Sequence, residues 1–595
     1  MHTTTTPDDI RWMPPTATPV DGKRCPVCGH ASGHAPVLSV PAVTPGNPML
    51  SLLRCGGCRS LFYDPPDIVN FSDLSGDGES FWRFYVEIGG GVWETIWPIL
   101  AAVERGSLLD VGCGFGFALD FWQRSGRGEA VGLELADYGR KGAAMLGVTI
   151  HGELLQQCAV LAGRRFDVVY ASEVIEHVPD PTAFAALLAP WVAEDGVLVM
   201  TTPAASFVAP ENQSTTLLAA LAPGFHGFLL SADAFADAAR RAGFRHVEIR
   251  EFGERQMVWA SRRPFQVKPQ TPGAQKAYLA YLAGRVAESA DTGSPVWQGL
   301  AYRYSKELVS AQRLYEAKAV LSALCTALTL HFGPNALDPA AVLARLRGCA
   351  TLDEYGDVTP FFMPSLFYFL GALAQHLDRN AALALRYYAG AADCVLESAR
   401  FGALFFLDAL SLLWPARARQ AELLLARGEI TAGVALLVRL AEEGVRCDAR
   451  NGYALASREL LETTVPYWCE LLWLHARRDQ AQALFAAHRG YLSDRYGPAM
   501  LEGAGVEAAL RDPDAALPLD PLYAPFFAAR QALPTPDGIA RLAEIVRIGD
   551  AHANDAPLGR RLRDIAQRAR SLAVPAPPRA TPVWSSSTHF KQPLR

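Results

Sequence analysis

The sequence predicts an α/β protein with an open, largely parallel sheet, preceded by a small cysteine-bearing segment and followed by an all-helical half. Three observations carry this expectation. Leu108-Leu-Asp-Val-Gly-Cys-Gly-Phe-Gly-Phe117 runs from apolar and β-branched residues through an Asp into Gly112, Gly114 and Gly116, then into an apolar-periodic stretch. That order is strand, glycine turn, helix, the opening unit of an open α/β sheet with its ligand beyond the strand's carboxyl end. Short β-branched runs then alternate with helical patterns as far as residue 260, which makes the early strands parallel. Beyond a Pro-rich stretch the alternation disappears and Ala and Leu dominate, as expected of paired helices.

In order along the chain, residues 1–22 are Thr- and Pro-rich without an apolar period and read as a disordered tail. Cys25-Pro-Val-Cys-Gly-His30 and Cys55-Gly-Gly-Cys58 follow. Each pair offers two thiolates at the spacing tetrahedral Zn²⁺ requires, and Cys25, Cys28, Cys55 and Cys58 together close a four-ligand site, so the metal is assigned a structural role. Residues 23–66 are therefore expected to be a zinc ribbon, with hairpin strands between the pairs. The competing readings are four ordinary buried cysteines, or His30 as a ligand. Residues 67–105 are rich in aromatics, among them Trp82 and Tyr85. They are read either as a substrate lid or as plain packing of helices on the sheet.

Strands are expected at 107–111, 130–134, 148–150, 166–170, 196–201, 245–250 and 256–260, within an α/β domain over 67–262. Residues 263–273 are a linker by composition. Residues 274–570 are expected to form a helical domain with its own core. Leu308 to Leu324, Gln420 to Leu437 and Cys469 to Phe485 each look like a helix–turn–helix unit of degenerate tetratricopeptide type, the alternative being an irregular bundle. Residues 571–595 read as a second disordered tail.

The 595-residue chain is too long for one core. Its net charge of −6 argues against a nucleic-acid footprint. No charged-then-apolar leader opens the chain and no apolar run reaches a membrane span. Eleven cysteines, four of them in two Cys-x-x-Cys pairs, fit metal and free-thiol usage. A cytoplasmic location is the resulting expectation.

The glycine turn with Asp110, the acid Glu134 closing the second strand, and Phe166-Asp-Val-Val-Tyr170 running into Ala-Ser-Glu-Val-Ile-Glu-His177 together resemble the class I S-adenosylmethionine (SAM)-dependent methyltransferases, over roughly residues 105–260. The resemblance implies a Rossmann-like seven-stranded sheet with its last strand antiparallel. It implies SAM held by Asp110, Gly112 and Gly114, with Gly116 shaping the turn and Glu134 on the ribose hydroxyls. Glu153 would lie near the adenine amine, and Ser172 and Glu173 along the methionine moiety. The alternative reading of Asp110 and Glu134 is as turn or helix-cap carboxylates. The cysteine segment resembles the N-terminal part of some bacterial methyltransferases, of which sugar C-methyltransferases are the best known. Those enzymes carry a Tyr and a paired His-Glu-His in the later region, and this chain has a single His there.

Methyl transfer from a sulfonium chiefly needs a positioned acceptor, and a general base only when the acceptor's pKa is high. His226, flanked by Gly224 and Gly227 with no evident local partner, is the first candidate for that base, and His177 the second. Glu173, Glu176 and His177 fall at i, i+3 and i+4, one helical face if the segment is helical, where they could hold a divalent ion; ubiquinone-pathway O-methyltransferases show a similar pattern. The expectation is a SAM-dependent methyltransferase acting on a hydroxyl of a small molecule or glycan. The alternatives are C-methylation of a nucleotide-linked sugar, or a scaffold or protein methyltransferase whose helical domain binds a protein partner.

Overall fold

The computed structural model describes residues 9–448 apart from short stretches, of which 67–78 is the longest, together with a few positions between 472 and 486 and residues 536–551. Two sheets organise the first half. The first opens with β1 (Arg11–Trp12), β2 (Ala35–Pro41), β3 (Met49–Arg54) and β4 (Leu61–Asp64), paired antiparallel in chain order. The expectation of a disordered tail over 1–22 is corrected for residues 9–22; residues 1–8 lie outside the described residues. Ile10 is buried, Arg11 and Trp12 pair with Ser39 and Leu38, and Val20 bridges His34. The segment lacks an apolar period because it is an edge strand that borrows its order from β2.

The chain continues through α1 (Glu79–Phe84), a π turn over Tyr85–Gly89, and α2 (Trp93–Ala102). The α/β succession follows: β5 (Leu108–Val111), α3 (Phe117–Arg124), β6 (Ala130–Leu133), α4 (Asp137–Leu146), β7 (Thr149–His151), β8 (Phe166–Ser172), α5 (Pro181–Leu188), β9 (Val192–Pro203), α6 (Ser214–Leu221), β10 (Phe228–Leu229), α7 (Ala232–Arg241), β11 (His246–Phe252) and β12 (Arg255–Ser261). The second sheet has the order β11-β12-β9-β8-β5-β6-β7, and β12 alone runs against its neighbours. This is the expected seven-stranded Rossmann-like sheet.

Period-two alternation puts successive side chains of a strand on opposite faces. On β8, Val168 and Tyr170 pack with Trp97 and Phe121, while Val169 and Ala171 pack with Leu188 and Phe235. Both faces are covered, as parallel strands require. β10 does not join this sheet. It pairs with β4, Phe228 opposite Phe62 and Leu229 opposite Leu61, so the α/β half donates a strand to the cysteine-bearing sheet.

The second half is helical: α8 (Pro272–Glu288), α9 (Pro295–Ser310), α10 (Leu314–Phe332), α11 (Pro339–Gly348), α12 (Leu352–Val358), α13 (Met363–His376), α14 (Ala381–Ala399), α15 (Leu407–Leu410), α16 (Leu413–Ala426) and α17 (Ile430–Asp448), with a further helix over Pro536–Ala551. Asp338, Thr351 and Asn380 cap three of them with side-chain oxygens. Leu308–Leu324 and Gln420–Leu437 straddle the α9–α10 and α16–α17 turns; the Cys469–Phe485 unit and the 571–595 tail lie largely or wholly outside the described residues. By length and composition alone the stretch Leu352–His376 is apolar enough to cross a membrane, but 83% of the qualifying 18-residue window is buried inside the protein, as in a core helix.

The boundary at residues 263–273 is also corrected. Val267 is buried, and the Lys268 amide donates to the Ala101 carbonyl at 2.8 Å. Tyr278, Tyr281, Leu282, Val296 and Leu300 share one core with Trp97, Phe121 and Trp259. Asp120 of α3, 1% exposed, meets Arg285 at 3.2 Å and the Tyr281 hydroxyl at 2.7 Å. Pro and Gly composition marks irregular backbone but carries no information on what that backbone packs against. The amphipathic pattern of α8 likewise leaves its partner open.

Candidate functional site

The glycine turn leaves the carboxyl end of β5 with all three glycines in left-handed backbone, φ 76° at Gly112, 59° at Gly114 and 91° at Gly116. Each of them is crowded where a Cβ would go, Gly116 by Ile150 Cδ1 at 2.9 Å. A Cβ at Gly112 would lie 2.6 Å from Val174 Cγ2, and one at Gly114 2.5 Å from the Tyr85 hydroxyl. Gly116 also caps α3, whose amino end faces the turn.

Asp110 is 3% exposed at the end of β5. Burial, and then the neighbouring Glu134, push its carboxyl up to about 8. Glu134 accepts the Gly114 amide at 3.0 Å through Oε2 and the Ala136 amide at 2.9 Å through Oε1. Burial raises its pKa and the amides counter that rise. Glu134 thus braces the glycine turn with both carboxylate oxygens, as its reading as a turn carboxylate expects. Glu153 lies just beyond β7 and is exposed beside Cys158, with Gly152 near the Glu134 carbonyl.

Aromatic side chains close over this turn. Tyr85 stacks on Tyr138 with centroids 5.7 Å apart, and Trp82 on Phe115 at 6.2 Å and 7°. The Lys141 ammonium lies 4.6 Å from the centre of the Trp82 ring. Burial, then Glu134 and Asp110, raise the Tyr85 phenol above its ordinary pKa, so the phenol faces both acids. These contacts fit both readings of the 67–105 aromatics: the rings pack on the core of the sheet and lie over the glycine turn. Tyr138 was missed: it follows Glu134 closely, but nothing in the sequence says it meets Tyr85.

After β8, Ser172 Oγ lies 2.8 Å from Thr201 Oγ1, and that hydroxyl donates to Glu173 at 2.9 Å. Glu173 has φ 55°, a sparsely populated conformation for a residue with a side chain. The next residues, Ile175–His177, form a 3₁₀ turn and not an α-helix. The helical face proposed for Glu173, Glu176 and His177 is therefore absent: Glu173 turns toward Thr201 and Arg255. The side chains that do converge are Glu176, His177 and His226, with one ligand atom of each within 4.8 Å of the others. This trio has the donor types to hold a divalent ion.

His226 is 7% exposed and has local partners, contrary to expectation. Its Nδ1 lies 2.9 Å from the Ala220 carbonyl, and its ring meets His177 edge-on at 4.8 Å. His177 Nδ1 lies 2.8 Å from the Phe225 carbonyl. A carbonyl only accepts, so each bond places the proton on Nδ1 and leaves Nε2 as the basic nitrogen. Burial lowers His177 to about 4; burial and then His177 lower His226 to about 3. Both rings are neutral at pH 7. Glu176 is fully buried, accepts from Thr202 at 3.0 Å, and is raised well above the carboxylate range by burial and by Glu173.

The four cysteines of the two knuckles also meet. Their sulfurs lie within 4.8 Å of one another, with Cys25–Cys58 at 3.9 Å and Cys28–Cys55 at 3.5 Å. The cluster is tied to the segment 221–231, which carries His226. Ser231 Oγ donates to the Cys58 carbonyl at 2.7 Å, the Ser231 amide to Ser60 at 3.0 Å, and the Tyr63 hydroxyl to the Leu221 carbonyl at 2.9 Å.

Residues 94–249 match a family model described as a methyltransferase domain. The sheet order, the glycine turn and that match together define this part of the chain as a methyltransferase domain of the class I, SAM-dependent fold. Among curated proteins, the chain is similar to ubiquinone biosynthesis O-methyltransferases. That of Albidiferax ferrireducens is 30% identical over 172 residues, 27% of this chain and 64% of that protein. That of Leptothrix cholodnii is 27% identical over 150 residues, 23% of this chain and 63% of that protein. That of Neisseria meningitidis serogroup A is 34% identical over 102 residues, 16% of this chain and 43% of that protein. The chain spans less than two thirds of the length of each of these relatives.

Proposed function

We propose that the chain is a SAM-dependent O-methyltransferase acting on a hydroxyl of a small molecule or glycan. The observation that carries this is the adjacency, at one end of one sheet, of a glycine turn braced by Glu134 and a pair of neutral imidazoles. The residues fit the donor: the three glycines of the turn are crowded where Cβ atoms would go, Glu134 and Asp110 offer carboxylates to a ribose and a cation, and Tyr85 and Trp82 offer aromatic cover. SAM, when bound, supplies an activated methyl group. The chain's own residues bind it, exclude water and hold the acceptor in line. The hydroxyl proton passes to an imidazole Nε2 as the oxygen takes the methyl group. The printed names of the relatives, O-methyltransferases, support oxygen as the acceptor atom.

We place the base at His177 before His226, reversing the order expected from sequence. The His177 side chain keeps 18% exposure, while His226 is 7% exposed and lies against it. His226 then orients the His177 ring. A structural Zn²⁺ held by Cys25, Cys28, Cys55 and Cys58 belongs to the same proposal, since four thiolates leave no open position for chemistry. A cytoplasmic setting, expected from the Cys-x-x-Cys usage of the sequence, belongs to the same proposal. Incubation of the full-length protein with cell extract and methyl-labelled SAM, followed by identification of the labelled product, tests the reading. Label on carbon or on protein, or no label transfer by a protein that binds SAM, overturns it.

A further inference from the structure

The lid that carries Tyr85 is held from outside by the helical half. α9 lies along the π turn of residues 85–89. Gly299 comes so close to it that a Cβ there would collide with the Val86 carbonyl oxygen and reach within 3.0 Å of Glu87 Cα. One turn on, Arg303 is 4% exposed and donates through Nη2 to that same Val86 carbonyl, with the Tyr85 carbonyl at 3.5 Å. Its guanidinium lies over the Phe117 ring, 4.8 Å from the centroid. Its Nε and Nη1 have no hydrogen-bond partner among the described residues, so two carbonyls of this turn, one ring face and the electrostatic pull of the buried Glu87 hold the cation in place. Such an arrangement is costly unless its geometry serves something.

The rest of the lid is tied outward in the same way. Glu87, fully buried, accepts the Phe361 amide at 2.7 Å and pairs with Arg83 at 3.0 Å, and Arg83 donates to the Gly356 carbonyl at 2.6 Å. The Tyr278 hydroxyl of α8 donates to the Gly91 carbonyl at 2.7 Å. These outward polar anchors of residues 83–91 come from α8, α9 and the α12–α13 corner, while the inward side chains Trp82 and Tyr85 meet Phe115, Tyr138 and Gly114.

We propose that the helical half is a working part of the donor site, and that Arg303 is its positioning residue: by fixing the carbonyls of Tyr85 and Val86 it sets the Tyr85 ring over the glycine turn. This rests on the donor reading given above. The residue does not touch the donor; it acts through Tyr85, and the coupling is carried by one rigid turn packed on both sides.

The test uses the full-length protein and SAM itself. Arg303→Met keeps the apolar stem on Phe117 and removes the donors, and should weaken SAM binding about tenfold in calorimetry. Arg303→Lys, which keeps one charged donor, should recover most of that loss. Hydrogen exchange at the Gly90 amide, which donates to the Tyr85 carbonyl at 2.6 Å, should quicken in Arg303→Met without SAM present. The double variant Tyr85→Ala/Arg303→Met should bind no more weakly than Tyr85→Ala alone, because both changes remove one effect. Unchanged SAM affinity in Arg303→Met, or losses that simply add in the double variant, overturns the proposal. Should Arg303→Met not fold, Gly299→Ala, which displaces the same Val86 carbonyl, is judged by the same readouts. A wild-type protein that binds no SAM removes the donor reading and this proposal with it; a wild-type protein that binds while the variants match it removes this proposal alone.

Discussion

Asp110 gives the most direct handle at the scale of single residues. Held at about 8 by burial and by Glu134, it carries a proton in the free protein at pH 7. A cationic donor beside it favours the ionised form, so SAM binding should release a proton and strengthen as pH rises toward 8. Calorimetry in two buffers of different ionisation enthalpy measures the release, and Asp110→Asn should abolish it. For folding the sign is opposite. A carboxyl raised in the folded state favours folding fully below its unfolded pKa, and that contribution is lost as pH rises through about 8. The histidines work at the other end of the scale. His177 and His226 are lowered to about 4 and about 3. The stability they hold above their unfolded pKa is lost as pH falls from about 6.5 through those values. In catalysis, His177→Gln should lower kcat by about two orders of magnitude with SAM affinity intact; an unchanged kcat would leave positioning alone as the mechanism.

Among the elements, the cysteine-bearing sheet and the segment carrying His226 form one unit through β4, β10 and Ser231. Ser231 caps α7, accepting the Ala234 amide at 3.2 Å, and donates to the Cys58 carbonyl. Ser231→Ala should therefore cost about 1–2 kcal/mol of stability, the range for a lost cap, and chemical denaturation measures it. Elemental analysis should find one zinc per chain. Stripping it should release the knuckles and, through β10, loosen the segment carrying His226. Hydrogen exchange localised to residues 20–64 alone, with 221–231 unchanged, would show that the coupling across β10 is slight.

At the scale of the whole molecule, the helical half cannot be cut away at residue 273. A fragment 1–273 would expose the surfaces of Trp93, Phe121 and Phe117 that face α8 and α9, and would strip Asp120 of Arg285 and Tyr281. Each large apolar side chain returned to water costs roughly 1.5–3 kcal/mol, against a total stability of only about 5–15 kcal/mol. The fragment should aggregate. A soluble, SAM-binding 1–273 by size-exclusion chromatography and calorimetry would instead show two separable bodies.

The sequence by itself determined the features whose physics is local. A glycine turn needs left-handed backbone wherever it occurs, so Gly112, Gly114 and Gly116 were legible from their spacing behind β5. Strand alternation is a property of consecutive residues, and it placed the seven strands of the main sheet. Thiolate pairs at Cys-x-x-Cys spacing declare their chemistry without a fold around them. What only the tertiary structure decided depends on pairs far apart in the chain. Periodicity says that a face is buried but not against what, so the seating of α8 and α9 on the α/β core, and of Arg303 on the lid, had no local signal. Two residues of a strand, Phe228 and Leu229, are too short a run to reveal that they pair with β4. His226 acquired its ring partner only when His177 was brought to it, and Glu173 left the expected helical face as Thr201 and Arg255 came to it. Those contacts come from closing the chain on itself, and no window of neighbouring residues contains them.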